Sequence, residues 1–485
     1  MTPTKNLLYL LVIGVSLGCA ALLRGLLLDE RRVLKLDPQL GAVAAEDPLT
    51  RAMAERKVIL ASAGLGVFRP LAIDFLWLRA SYLQRTMNFF EAATLSGLIT
   101  HLQPRLPEVW RFQAHNLAYN LSATFPPRER LPWVLGGIKL LRDEGLRYNP
   151  DSGLLALDLA LLFQHKIGLD DDSAGYLYRD ELAAIFDVDP ESPRGRELYR
   201  EWKLDREFIG RVEEKYEVTL DFRAAEAHGI YWSEQGLAGA QAGSEPDDWV
   251  VSRLENVSRY SLWQLYNSGR PVKAPLAEGR NGGGVERYVF VPDLRFASAT
   301  RRALQKHAPV NSHAARAYQD FLKRDVLYRF LLLGEDAARV RFEATRDLMR
   351  PSPPVFEKLL LEFQWSAGES RKSALAKLAE YLEARLLLEL AAQPDFAQGF
   401  RALARRAHST LRGEGGVAPA PFEAFEHAAA YRRIEDWQKY PRLKEALEAL
   451  RKDFSQGGVP GVRLPETQEL PFSLEYLNPL TVLIP

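Results

Sequence analysis

The sequence predicts a mostly α-helical protein: a short stack of helix pairs, a further C-terminal helical region, little β-structure and one apolar segment of membrane-spanning length. Three observations carry this. Leu and Ala dominate a hydrophobic content of 47%, and β-branched residues are sparse outside a few segments, a balance that favours helix over sheet. Leu76, Ala80 and Leu83 recur as Trp110, Ala114 and Leu117 after 34 positions, a large-small-large trio at the period of stacked helix pairs. Residues 6–23 read NLLYLLVIGVSLGCAALL, 18 residues without a charge.

The apolar segment runs on past Arg24 to Leu28. A helix of about 20 apolar residues crosses the hydrocarbon layer, and an arginine near its end can snorkel to the headgroups. Residues 6–28 are therefore expected to be a single transmembrane anchor. Two other readings compete. Lys5 could open a cleaved signal peptide. Cys19, the one cysteine, follows Leu17-Gly18 as in a lipoprotein signal. Against lipidation at Cys19, Ser16 stands where a branched apolar residue is expected, and apolar residues follow Cys19 instead of a polar tether. Arg24, Arg31, Arg32 and Lys35 outnumber Lys5, which taken alone favours a cytoplasmic body. A short tail ahead of a large body instead fits an anchor with its N-terminus inside. The expectation adopted is a single-pass protein of a bacterial inner membrane with a periplasmic body.

Composition narrows the function. Lys plus Arg and Asp plus Glu are both 63 in 485 residues, so no net basic field points to nucleic acid. A single cysteine excludes an intramolecular disulfide and a cysteine-based zinc site. The histidines show no zinc-binding spacing.

Six segments follow in order. Residues 6–28 are the anchor, and 29–67 a polar tether with a lead-in helix containing Gly64 and Gly66. Residues 68–186 hold the helix pairs. Phe75, Leu76, Leu78, Leu83 and Phe90 recur at mixed spacings of three and four, which buries one helix face. Pro107 and Glu108 open the next helix, with proline in the first turn and an acid at the positive end of the dipole. Pro126-Pro127 ends it, and Asn149-Pro150-Asp151 is a stop and restart. Residues 187–306 hold a Pro- and charge-rich linker at 187–211, a helix pair at 221–237 and 249–266, and a strand at 287–291 behind the glycine turn 279–284. Residues 307–454 form long helices, including one at 310–350. The tail 455–485, rich in Pro and Gly, is expected to be extended.

The first helix pair resembles the tetratricopeptide repeat superfamily. Leu76, Ala80, Leu83, Ala92 and Pro104 match its large, small, large, small and proline positions. The second pair matches in its first helix and carries an insertion near Phe125-Pro126-Pro127. The third, at 151–186, keeps Leu154 and Leu161 but has Asp158 in place of the small residue. The resemblance implies a helical-repeat fold that binds a protein or peptide, and no catalytic residue.

Candidate partner-binding residues are Trp77, Arg79, Tyr82, Trp110, Arg111, Asn116, Tyr119 and Asn120. Asn116 and Asn120 lie four apart on one helix and could pair with the backbone of an extended peptide, as asparagines do in tetratricopeptide-like clamps; alternatively they satisfy local carbonyls. The arginines and aromatics could make cation–π contacts or simply form a solvated face. Asp170, Asp172, Gly175 and Glu181 fall at positions 1, 3, 6 and 12 of a calcium loop, but Ala174 replaces a ligand, so an acidic turn between helices is expected. Gly282-Gly283-Gly284 lacks the Gly-Lys-Ser/Thr ending of a phosphate loop. Glu369-Ser370 has the dipeptide of a lytic transglycosylase without the downstream motif. No metal or cofactor is expected, and no catalytic motif is present. The sequence thus points to a membrane-anchored scaffold that binds a protein partner in a bacterial envelope complex. Two alternatives stay open: an enzyme of unrecognised class with a site between the repeats and 287–291, and a purely structural subunit of a membrane assembly.

Overall fold

The computed structural model describes residues 69–168, 172, 174–242, 248–278, 284–308, 312–350, 355–362 and 394–409, with a few further positions between 381 and 426. The expected anchor at 6–28 with Cys19, the tether at 29–67, Asp170, Gly282-Gly283, Glu369-Ser370 and the tail at 455–485 lie outside the described residues. Among the described residues the fold is mostly helical, with one two-stranded ribbon. No helix among them is long and apolar enough to cross a membrane.

Helices α1 (Arg69–Arg85) and α2 (Phe89–Leu102) pack through Ile73, Leu76, Ala80 and Leu83 against Leu95, Ile99 and Leu102. The turn between them is a Schellman stop. Met87 takes φ 59°, and the Asn88 N–H reaches back to the Leu83 carbonyl at 2.8 Å. Lys203 and Glu217 close two later helices with the same left-handed conformation.

The next three helices share one build. Each has nine α-helical residues followed by six π-helical ones: α3 is Pro107–His115 then Asn116–Leu121, α4 is Leu131–Lys139 then Leu140–Gly145, and α5 is Gly153–Leu161 then Leu162–Ile167. The last π turn closes with an i→i+5 bond from Gly168 N–H to Phe163 O at 2.8 Å. Pro107 stands in the first turn of α3, and Ser152 caps α5 through the Leu155 N–H. Gly137 lets α4 lie against α3, because a Cβ there would stand 2.9 Å from the Ala114 carbonyl oxygen. Of the recurring trio, Trp110 and Ala114 are buried as Leu76 and Ala80 are, while Leu117 is half-buried.

Helix α6 (Gly175–Phe186) is followed by a departure from expectation. The segment read as a linker, 187–211, contains α7 (Pro193–Glu201) and the start of α8 (Arg206–Tyr216). Pro193 opens α7, with Ser192 capping through the Gly195 N–H. Leu198, Tyr199, Ile209 and Val212 provide the buried stripe that the charged residues between them obscured. The expected helix pair is present as α9 (Ala225–Ala242) and α10 (Asp248–Ser268).

Strand β2 (Gly284–Val291) contains the expected 287–291 segment and pairs antiparallel with β1 (Arg270–Glu278). β1 went unread because it contains Pro271 and Pro275. The register shifts between Ala274 and Ala277, so Pro275 sits in a bulge, and a two-stranded ribbon leaves each strand an open edge where proline is tolerated. Beyond it come α11 (Ala297–His307), α12 (Ser312–Leu333) and α13 (Glu335–Thr345). The single helix expected over 310–350 is broken at Gly334, whose φ of 88° no helix accommodates. Helices α14 (Phe356–Glu362) and α15 (Pro394–Ser409) follow.

The chain divides into two compact units. One holds the described residues up to Tyr178, with Tyr199–Asp205 and His228–Ser258. The other holds Arg179–Leu198, Arg206–Ala227 and the described residues from Arg259 onward.

Candidate functional site

The first unit gathers a line of polar and aromatic side chains along α3, α5 and the start of α6. Arg111 on α3 grips Asp158 on α5 with two bonds, Nε to Oδ2 at 2.6 Å and Nη2 to Oδ1 at 3.1 Å. A two-pronged pair of this kind fixes the guanidinium plane. It also gives a reason for Asp158 standing where the repeat pattern has a small residue.

One turn beyond Arg111, His115 stacks on Tyr119 with ring centroids 4.7 Å apart. Burial lowers the His115 pKa; Asp158 opposes this, and Lys166 and Arg111 add to the lowering. The Tyr119 ring receives the Lys166 ammonium at 5.0 Å from its centroid, a cation–π contact. Lys166 is only 4% exposed.

Lys166 is anchored in turn by Asp172. The Asp172 carboxylate accepts from Lys166 Nζ at 2.7 Å, Arg130 Nη1 at 2.7 Å, the Tyr178 hydroxyl at 2.9 Å and the Ala174 N–H at 3.0 Å. Burial alone would raise its pKa, but the bonds from Lys166, Ala174 and Tyr178 outweigh it and hold the carboxyl at about 2. The Tyr178 phenol is pushed up, first by burial and then by Asp172. Near neutral pH both groups therefore keep fixed protonation states, and the cluster acts as a brace instead of a proton relay. Both oxygens of Asp172 are taken by the protein's own donors. Among the described residues, no cluster of three or more His, Cys, Asp or Glu could hold a metal ion.

The eight residues singled out from sequence do not form one surface. Asn116 is fully buried and donates its amide to the Phe89 carbonyl at 3.1 Å. Its Oδ1 accepts from Asn120 at 3.2 Å, so the spacing of four pairs the two asparagines with each other. Trp110 is 4% exposed, donates to the Pro104 carbonyl at 2.8 Å and stacks on Tyr148; it is a core residue. Trp77 is half-buried against Phe112 and Gln103. Arg79 and Tyr82 lie exposed on α1, with the guanidinium 5.5 Å from the ring centroid. Arg111, Tyr119 and Asn120 remain half-exposed along one helix, together with the exposed His115.

Sequence reasoning missed Lys166, Arg130 and Tyr178. One signal was available: Asp158 and Lys166 are eight apart in the largely apolar run 153–167, which places them near one face of the helix. Comparison of the chain with protein-family models, with curated proteins and with solved structures returned no match.

Proposed function

We propose that this protein is a membrane-anchored scaffold of the tetratricopeptide-like kind, which docks a protein partner within a bacterial envelope assembly. The observation that carries the reading is the prearranged row Arg111, His115, Tyr119 and Asn120. Asp158 fixes the first, ring stacking the next two, and the buried Asn116 the last. Side chains ordered before binding lose little entropy on binding. They offer a cation, two aromatic rings and an amide, and the contact with Asn116 uses only one of the two N–H donors of Asn120. That set suits an extended segment with acidic and apolar side chains. The N-terminal apolar segment supports an anchor at the bacterial inner membrane with a periplasmic body, which would concentrate weak contacts at the surface.

The test is crosslinking in native membranes, followed by affinity capture and mass spectrometry. Wild-type chain should yield a specific protein adduct that is lost in a Tyr119→Ala/Asn120→Ala variant whose thermal melting is unchanged. Asn116 is unsuitable for this purpose, because its loss leaves the Phe89 carbonyl without its donor. Capture of no specific protein, or of the same protein with both chains, would sink the proposal.

A further inference from the structure

Helix α1 is apolar on two opposite faces. Ile73, Leu76, Ala80 and Leu83 are buried against α2 and α3. Leu71, Phe75, Leu78 and Tyr82 are 66%, 62%, 71% and 53% exposed. Their spacing of four, three and four aligns them in one stripe, about 16 Å long at the helical rise. Past the turn, Met87 and Phe90 are also 78% and 48% exposed, Phe90 meeting Phe125 and Trp133 edge to face. Among the described residues, six of the thirteen exposed large hydrophobics fall within these twenty positions. Isolated exposed hydrophobics need no explanation, but a contiguous patch does, and the outermost helices of a stack normally show a polar outer face.

We propose that this stripe rests on a lipid bilayer, in the interface plane. The inference builds on the membrane anchor in the reading above. Two features favour lipid. The expected anchor at 6–28 is followed by 40 residues and then Arg69, so α1 is the first described helix after the segment that would enter the membrane. The charges beside the stripe balance, Arg79 against its partner Glu91 at 3.9 Å and Arg85 against Asp74, so the apolar side chains carry the contact. The stripe itself combines leucines with Phe75 and Tyr82, the composition of an interfacial helix.

The experiment labels the full chain, in a Cys19→Ser background, with an environment-sensitive fluorophore at Leu78→Cys. Lys139→Cys, an exposed site off the stripe, is the control. Both are reconstituted in phosphatidylcholine vesicles containing phosphatidylglycerol. The label at 78 should shift to the blue and lose fluorescence to lipids carrying a nitroxide on the acyl chain, while the label at 139 does neither. A Leu71→Ser/Phe75→Ser variant should reduce the quenching at 78. Vesicle flotation reads the anchor separately. Flotation without quenching at 78 overturns the stripe assignment and leaves the anchor standing; a chain that does not float overturns both. A blue shift without lipid quenching means that a second copy or another protein segment covers the stripe, which also overturns the proposal.

Discussion

Asp172 in the first unit and Asp325 in the second each collect two cations and one tyrosine, yet they do different work. Asp325 is fully buried and accepts from Arg341 Nε, from Arg329 Nε at 3.2 Å and from the Tyr266 hydroxyl at 3.3 Å. Tyr266 in turn packs on Phe321 and Tyr328, both buried. The network ends in rings on the inside. The Asp172 network runs outward: Lys166 carries it from the carboxylate to the face of the half-exposed Tyr119. The same ionic arrangement fixes an interior in one unit and braces a surface in the other. Taking charges out of water is expensive, so a buried pair need not add net stability. Its clearer effect is to hold neighbouring side chains in one arrangement.

The largest expected effect separates the two. Asp325→Ala leaves two arginines around a buried site without their carboxylate and should cost about 3–5 kcal/mol. Asp172→Ala should cost less, about 2–3 kcal/mol, because the Asp172 carboxylate is 6% exposed, so water can reach the cations it leaves behind, whereas Asp325 is 0% exposed. Hydrogen exchange read on peptides of α12 and of α5 would show each loss in its own unit. Equal losses would break the comparison.

Acid should sharpen it next. The Asp172 carboxyl is depressed to about 2 in the folded chain. Its stabilising contribution is therefore complete above the unfolded carboxyl pKa near 3.9 and is lost as pH falls towards 2. With allowance for solvent screening it is worth roughly 1–2 kcal/mol. Urea melts followed through the first unit should show this acid limb in the wild type and not in Asp172→Asn. An unchanged limb in the variant would assign the acid sensitivity elsewhere.

Backbone fit should matter somewhat less. Gly137→Ala places a methyl group 2.9 Å from the Ala114 carbonyl oxygen, directly behind His115, and should destabilise the first unit by about 1–3 kcal/mol. Amide exchange in α3 would report it, and unchanged protection there would show that α4 gives way freely. The smallest effect expected is a gain. Lys203 holds φ 57°, and Lys203→Gly relieves a left-handed conformation for up to about 1 kcal/mol, partly offset by the freedom glycine gains when unfolded. A loss of thermal stability would mean that the lysine side chain contributes a contact worth more than that strain.

Much of this fold could be read from the chain. The helix start at Pro107, the stop and restart at Asn149-Pro150-Asp151, the inward trio at Leu76, Ala80 and Leu83, and the strand around Tyr288 each follow from local pattern. The failures have physical causes. Charged residues spaced through 187–211 hid two amphipathic helices, because their buried stripe is only a few residues wide. Prolines concealed β1, since an edge strand with a bulge tolerates what a central strand does not. The candidate site was legible as a location and not as a mechanism. Asn116 and Trp110 have the composition of a binding surface, but the Phe89 and Pro104 carbonyls claim them. Lys166 and Asp172 were obscured because charges in an apolar run become informative only when their partners, here Arg130 and Tyr178, arrive from other elements.

The central claim is that the α3 face holding Tyr119 and Asn120 receives a protein partner. The most direct measurement places a photo-crosslinking side chain at Asn120 and, separately, at Arg302, an exposed position of the second unit, in the full chain within native membranes. The account predicts one discrete protein adduct at 120, absent at 302 and weakened by Arg111→Ala. No adduct at 120, or the same ladder of adducts from both positions, would contradict it.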